Sequence, residues 1–133
     1  MIYLFDTNHA IALLNGDSRL APHLSAAQTA NDTFVITTTV LGELYYGARA
    51  SQQVEANLSK LVEFVTQLIV YNFDSAAARE FRKVKAEQRA KGKPIPTADA
   101  QIAAIARLHR LMVLTNDAHF QHIDGLKVEN WLI

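Results

Sequence analysis

Short β-prone runs alternate with longer amphipathic segments along the whole sequence. Runs rich in β-branched residues predict buried strands, and apolar residues spaced three and four positions apart predict helices. The strands are expected at residues 2–5, 34–39, 68–71, 111–114 and 126–129. The helices are expected at residues 10–14, 20–30, 40–50, 53–67, 76–90 and 98–110. This order predicts an α/β fold in which a mainly parallel sheet of four to five strands is flanked by helices.

The length and composition limit the class of protein. A chain of 133 residues, half of them hydrophobic, suits one soluble domain over residues 1–133. Because there is no cysteine, disulfides, zinc-thiolate sites and cysteine nucleophiles are excluded. No apolar run approaches the roughly 18 to 20 residues of a membrane span, and no signal segment opens the chain. We therefore expect a cytoplasmic protein without membrane association.

Four acidic residues stand where predicted elements begin or end. Asp6 follows the first strand and Asp117 follows the fourth, while Glu43 and Asp99 lie in the predicted first turns of two helices. In an open parallel sheet, ligands bind at the carboxyl ends of the strands, which is where Asp6 would lie. Each acid also has a local explanation, as a helix cap, as a favourable charge at a helix N-terminus or as a turn residue.

Considered together, the four acids suggest a metal site. Carboxylates a few ångströms apart repel one another unless a positive charge lies between them, and Mg²⁺ or Mn²⁺ with oxygen ligands meets that need. One or two such ions can activate a water molecule and neutralise the charge that develops on a phosphodiester during hydrolysis. The sequence therefore favours a metal-dependent hydrolase of phosphodiesters.

A basic segment precedes Asp99. Residues 79–93 contain seven of the thirteen Lys and Arg residues, although the formal net charge of the chain is zero. Lys and Arg contacts to phosphates supply most sequence-independent affinity for nucleic acids. The predicted RNA-binding residues are Arg82, Lys83, Lys85, Arg89, Lys91 and Lys93. The alternative is that these charges form a solvated helix face.

Several aromatic and histidine residues have weaker signals. Tyr45 and Tyr46 can stack on bases, but packing in the core or at an interface is the favoured interpretation. His9, next to the first acidic motif, is expected to be a partly exposed helix residue, with substrate contact as the alternative. His23, His109 and His122 lack the spacing of metal ligands and are expected to be structural.

Five stretches of the sequence resemble the PIN-domain ribonucleases, above all the toxin subunits of VapBC-type toxin–antitoxin modules. The stretches are Ile2–Asn8, Glu43–Ala48, Pro96–Ala104, Leu114–Asp117 and Gly125–Trp131. Their order and spacing span essentially the full chain, which makes the resemblance far more specific than any single motif.

The resemblance implies a PIN-like three-layer sandwich and an endoribonuclease dependent on Mg²⁺ or Mn²⁺. It implies a type II toxin that is inhibited by a cognate antitoxin and that is frequently a homodimer. It assigns the metal site to Asp6, Glu43, Asp99 and Asp117, with Thr7, Asn8 and Asn116 as polar support. Many relatives carry an acid where this chain has His119, so a fifth acidic contribution is not expected here.

Two other types of protein also combine a small α/β fold with an acidic pocket. A non-catalytic binding module would use the acidic pocket to bind a basic residue of a protein partner. A phosphoacceptor receiver domain would carry a cluster of acids after the first strand and a lysine after a later one. Asp6 stands alone and Leu114 is followed by Thr115 and Asn116, so the sequence disfavours the receiver domain.

Overall fold

The computed structural model describes residues 1–133, in which five strands form one sheet. Every neighbouring pair of strands is parallel, and the spatial order is β3-β2-β1-β4-β5. The strands are β1 (Ile2–Phe5), β2 (Thr33–Thr37), β3 (Ile69–Tyr71), β4 (Met112–Leu114) and β5 (Lys127–Glu129). The predicted parallel α/β sheet is therefore confirmed, including its short edge strand.

Six helices connect and flank the strands. They are α1 (Thr7–Leu14), α2 (Ala21–Thr29), α3 (Thr38–Arg49), α4 (Val54–Val65), α5 (Ser75–Ala90) and α6 (Thr97–His109). Short 3₁₀ turns cover Ser18–Leu20 and Ala118–His122. None of the helices is both long and apolar enough to cross a lipid bilayer.

The strand order reverses between β1 and β4. The chain proceeds from β1 to β2 and β3 on one side, and then crosses to place β4 and β5 on the other side. Ligands in doubly wound folds bind at this kind of switch point, because the loops after the two central strands diverge there. The loops after Phe5 and Leu114 therefore flank a natural crevice.

Two helix starts differ from the predictions. The second strand ends at Thr37, two residues early, because the Thr37 side chain accepts a hydrogen bond from the Val40 N–H and begins α3. A helix over residues 98–110 would place Thr97 at the cap, but Thr97 is the first helical residue of α6, and Pro96 is the cap. Pro96 has no side chain that can cap a helix, so the α6 N-terminus has no side-chain partner of this kind.

The core lies between the sheet and helices that include α6. The sequence of α6 is apolar on almost all sides, which is typical of a buried helix, and its residues from Ile102 to Ala106 are almost completely inaccessible. Along the other face of α6, the Arg107 guanidinium donates to Glu80 at 3.1 Å and forms a bidentate pair with Glu87, both in α5. This network fixes the basic helix α5 against the helix that carries Asp99.

His9 is fully buried, which corrects the expectation of a partly exposed residue. Its Nε2 accepts a hydrogen bond of 3.0 Å from the Trp131 N–H, whereas its Nδ1 has no hydrogen-bond partner. The His23 ring stacks on the Trp131 ring, with 4.8 Å between the two ring centroids. These contacts hold the C-terminal segment against α1, so a distant part of the chain determines the burial of His9.

Candidate active site

The four predicted acids converge at the carboxyl-terminal edge of the sheet. Asp6 follows β1, Asp117 lies beyond β4, Glu43 is on α3 after β2, and Asp99 is in the first turn of α6. The charges of Asp99 and Glu43 raise the pKa of Asp6, and the charge of Asp117 raises that of Asp99. Thr7 contacts both Asp6 and Glu43, and Thr115 contacts both Asp6 and Asp117, so the structure brings together side chains that are far apart in the sequence.

Asp6 is the most buried of these acids, with 6% of its surface exposed. Burial is the largest cause of its raised pKa, and hydrogen bonds from Thr115 and Thr7 act in the opposite direction. Its Oδ1 accepts from the Thr7 N–H at 2.8 Å and caps α1, and its Oδ2 accepts from the Thr115 hydroxyl at 2.7 Å. The helix-cap interpretation is therefore correct for Asp6, and the same side chain is connected to Asp117 through Thr115.

Asp99, Asp117 and His119 form a compact group. One ligand atom from each lies within 4.8 Å of the other two. The His119 Nδ1 is 2.7 Å from Asp99 Oδ2 and 3.2 Å from Asp117 Oδ1. Burial raises the pKa of Asp99, and the hydrogen bond with Asp99 is the main cause of the raised pKa of His119. His119 thus places an imidazole next to Asp99 and Asp117, at the position where many PIN-domain relatives carry an acid.

Glu43 is connected to the acidic cluster through the Thr7 side chain. Its Oε2 accepts a hydrogen bond of 2.5 Å from the Thr7 hydroxyl. Because α3 begins at Thr38, Glu43 lies in the second helical turn, and its predicted place in the first turn was wrong. This position leaves Glu43 exposed at the rim of the cluster.

The three predicted polar residues lie in the same region. Thr7 connects Asp6 with Glu43 through its backbone and side chain. The Asn8 side-chain amide donates to the Asn116 Oδ1 at 3.2 Å. This bond joins the loop after β1 to the loop after β4 across the crevice.

Thr115 is the residue that the sequence reasoning missed. It is fully buried, donates to Asp6 and accepts from the Asp117 N–H at 3.0 Å. One hydroxyl therefore orders two of the four acids. The available signal was a hydroxyl residue directly after a buried strand, between an apolar run and the Asn-Asp pair.

The six basic residues predicted to bind RNA have different environments. The Lys91 Nζ pairs with Asp124 at 2.7 Å, and the Lys85 Nζ donates to the Ile95 carbonyl at 3.1 Å. The Lys93 Nζ is 3.5 Å from the His122 Nε2. Arg82, Lys83 and Arg89 are exposed, and none of them forms an ion pair.

The two tyrosines are on the surface of α3. Tyr46 has 76% of its surface exposed and Tyr45 has 39%, which rules out core packing for both within this chain. Nearby, the side of α3 that faces α1 and α4 borders a cleft of about 260 Å³. Its lining is mixed, with Ile11, Leu44 and Leu61 among the apolar residues.

Comparisons with known proteins agree on the type of domain. The sequence matches the PIN domain family over residues 3–126. It is 37% identical over 97 residues to the tRNA(fMet)-specific endonuclease VapC of Shigella flexneri, covering 72% of this chain and 74% of that protein. It is 30% identical over 131 residues to the Ribonuclease VapC2 of Haemophilus influenzae, covering 98% of each chain.

Solved structures give the same result in three dimensions. The VapBC2 complex of Rickettsia felis, bound to a promoter DNA fragment, contains a chain that matches with a TM-score of 0.90 and 31% identity. The match covers 98% of this chain and 99% of that one. The DNA-bound VapBC of Salmonella typhimurium matches with a TM-score of 0.88 and 30% identity, covering 98% of both chains.

Proposed function

This chain belongs to the PIN-domain family and is related to the VapC ribonucleases, and on this basis we propose that it is a metal-dependent endoribonuclease. It acts as the toxin of a type II toxin–antitoxin pair, with residues 1–133 forming a single domain. The observation that carries the proposal is the convergence of four carboxylates without a lysine or arginine paired to any of them. The one basic side chain in contact with them is His119.

The donor set fits Mg²⁺ or Mn²⁺. Both ions prefer oxygen ligands, and Asp6, Glu43, Asp99 and Asp117 offer carboxylate oxygens. Burial, with a smaller effect of neighbouring acids, raises the pKa values of Asp6 and Asp99, so the site disfavours their negative charges when no cation is bound. A divalent cation supplies that compensation, and when bound it activates water and neutralises the charge developing on the phosphate.

The surrounding residues keep the carboxylates in position. Each Asp6 oxygen accepts one hydrogen bond, from Thr7 or Thr115, and keeps a further lone pair for a ligand. The Thr7 hydroxyl orients Glu43 from the other side. Partners of this kind fix the direction of ligand oxygens and typically change metal affinity by about 10- to 100-fold when removed.

The proposed protein partner is a cognate antitoxin, because the matched structures from Rickettsia felis and Salmonella typhimurium are VapBC complexes. The cleft between α1, α3 and α4 suits an apolar segment of such a partner, and Glu43 at its edge suits a basic residue. An arginine or lysine that enters the acidic cluster from this side would exclude the metal ion. The toxin acts in the cytoplasm, and the proposal includes a homodimer.

The test combines cleavage with metal binding. The wild-type chain, freed of antitoxin, is expected to cleave unstructured RNA in Mg²⁺ or Mn²⁺ and to lose this activity in excess chelator. Asp6→Asn and Asp99→Asn are expected to abolish cleavage and to weaken Mn²⁺ binding measured by calorimetry, without loss of helical circular dichroism. Glu55→Gln removes an exposed carboxylate in the first turn of α4 and is the matched control.

Three results would count against the proposed enzyme mechanism. Cleavage that persists in excess chelator would exclude the metal mechanism. A chain that binds antitoxin but neither cleaves RNA nor binds Mn²⁺ would instead be the non-catalytic binding module considered from the sequence. Activity that is lost equally in Glu55→Gln would point to an effect unrelated to the acidic cluster.

A further inference from the structure

A long groove lies between α5 and the segment of residues 93–96 that leads into α6. It encloses about 960 Å³. Its lining includes the apolar side chains of Phe81, Pro94 and Ile95 and the cationic side chains of Arg82, Lys85 and Arg89. The groove thus contains three cationic side chains and no acid, although the net charge of the whole protein is zero.

The three cations share one face of α5, because they are spaced three and four residues apart. Arg82 and Arg89 are separated by about 10 Å along the helix axis at 1.5 Å per residue. Neither arginine pairs with an acid, whereas Lys91, just beyond the helix, is neutralised by Asp124. Arg82 and Arg89 therefore bring two uncompensated positive charges into the groove.

The groove is held in a fixed position relative to Asp99. The Lys85 Nζ donates to the Ile95 carbonyl, and the Gln88 side chain donates to the Lys93 carbonyl at 3.3 Å. These bonds hold the connecting segment against α5 directly before α6 begins. These bonds thus connect the cationic face of α5 to the segment that leads to Asp99.

A second cavity connects the groove with the acidic cluster. This cavity of about 290 Å³ shares Pro94 and Ile95 with the groove and is also lined by Lys93, His122 and His119. His119 is the residue in contact with Asp99. The two cavities are therefore adjacent, and together they form what we call the depression, with the three cations in one part and His119 in the other.

We propose that this depression binds the single-stranded RNA segment adjoining the cleaved bond, with Arg82 and Arg89 contacting its phosphates. The inference rests on the proposed ribonuclease function and assigns the path of its substrate. Cations next to apolar side chains suit single-stranded nucleic acid, because phosphates pair with the cations and bases pack on apolar or aromatic side chains. Phe81 and Pro94 are the apolar residues of the lining that bases can contact.

Only three of the six basic residues predicted to bind RNA line the groove. Lys83 is on the same helix but does not line the groove, and Lys91 is paired with Asp124. Arg82 and Arg89 are therefore expected to dominate phosphate binding. Lys83 is expected to contribute little, although the sequence pattern predicts the same role for all six basic residues.

Binding measured without metal separates this proposal from the proposed catalysis. The probe is a fluorescein-labelled 12-nucleotide oligouridine RNA in excess EDTA, followed by fluorescence anisotropy at several salt concentrations. Arg82→Gln/Arg89→Gln is the test variant. Arg79→Gln/Lys83→Gln is the matched control, because it removes the same charge from α5 outside the groove.

The test variant is expected to bind the probe about tenfold more weakly at low salt, and the control less than twofold. The slope of log affinity against log salt is expected to fall by about 1.4 for the test variant, or about 0.7 for each lost phosphate contact. Circular dichroism is expected to be unchanged, because neither arginine forms an ion pair within the protein.

Three results would overturn the proposed path. Equal weakening in both double variants would mean that RNA responds only to the overall charge of α5. Unchanged RNA binding together with dissociation of a dimer in sedimentation would assign the groove to a second copy of the chain. Unchanged binding in a variant that cleaves normally would remove the groove from substrate recognition and leave the metal-dependent cleavage intact.

Discussion

Lowering the pH below 6.5 is expected to destabilise this protein through His9. The side chain is completely buried, and desolvation, with a smaller effect of the Arg19 charge, lowers its pKa from 6.5 to about 4. Because the unfolded chain takes up the proton first, the stability from neutral His9 is complete above pH 6.5. That stability is lost progressively as the pH falls towards 4.

The size of the effect follows from these two pKa values. At pH 5 the unfolded state is almost fully protonated at this position, while the folded state is mostly neutral. The resulting loss is about 2 kcal/mol relative to pH 7.5, since each unit of pKa difference corresponds to about 1.4 kcal/mol. Such a loss is a large fraction of the stability of a small domain.

The assay is urea denaturation of the metal-free chain at pH 7.5 and at pH 5.0. It can be followed by the fluorescence of Trp131, the only tryptophan, whose backbone N–H donates to the His9 Nε2. His9→Gln keeps an acceptor for this bond and has no titrating ring. Comparing the two proteins cancels the opposing contributions of Asp6 and Asp99, whose raised pKa values favour the folded state at lower pH.

The wild type is expected to lose about 2 kcal/mol more than His9→Gln between the two pH values. Equal losses in both proteins would refute the reasoning, because they would mean that His9 takes up its proton as readily in the folded state as in the unfolded chain. A larger loss in the variant would have the same consequence.

Three further substitutions test the architecture of the site and its support. Asp6→Asn is expected to raise the urea midpoint of the metal-free chain at pH 7, because burial and the neighbouring acids disfavour the carboxylate; a lower midpoint would contradict this. Thr115→Val is expected to cost about 1 to 3 kcal/mol in unfolding free energy, because a buried hydroxyl with two hydrogen bonds is removed. Arg107→Met is expected to cost about 2 kcal/mol by leaving two α5 glutamates unpaired, whereas Arg79→Met on exposed α5 surface is expected to change stability little.

Local sequence patterns were sufficient to predict the architecture. Strand and helix periodicities are local properties, so the alternation of elements, the parallel sheet and the burial of α6 could be read from neighbouring residues. The position of Asp6 at a strand end was equally local. Glu43 was placed one turn too early because Thr38 and Thr39 are β-branched and resemble a continuing strand, whereas the Thr37 hydroxyl already begins the helix.

The contacts that shape the site depend on the tertiary structure. Thr115 meets Asp6 across 109 positions of sequence, and Thr7 meets Glu43 across 36. No local pattern records which hydroxyl reaches which carboxylate, which is why Thr115 was missed. The same holds for His9, which is buried only because the C-terminal segment returns to α1.

The sequence by itself determined the order of the elements and the four acids that stand at their ends. Folding decided how these side chains are compensated, with an imidazole between Asp99 and Asp117 and hydroxyls on Asp6 and Glu43. Folding also decided which basic side chains are free to bind phosphate, because Lys91 pairs with Asp124 whereas Arg82 and Arg89 pair with no acid. The physical reason is that periodicity fixes local backbone structure, whereas burial, charge compensation and hydrogen bonding depend on groups that only the fold brings within reach.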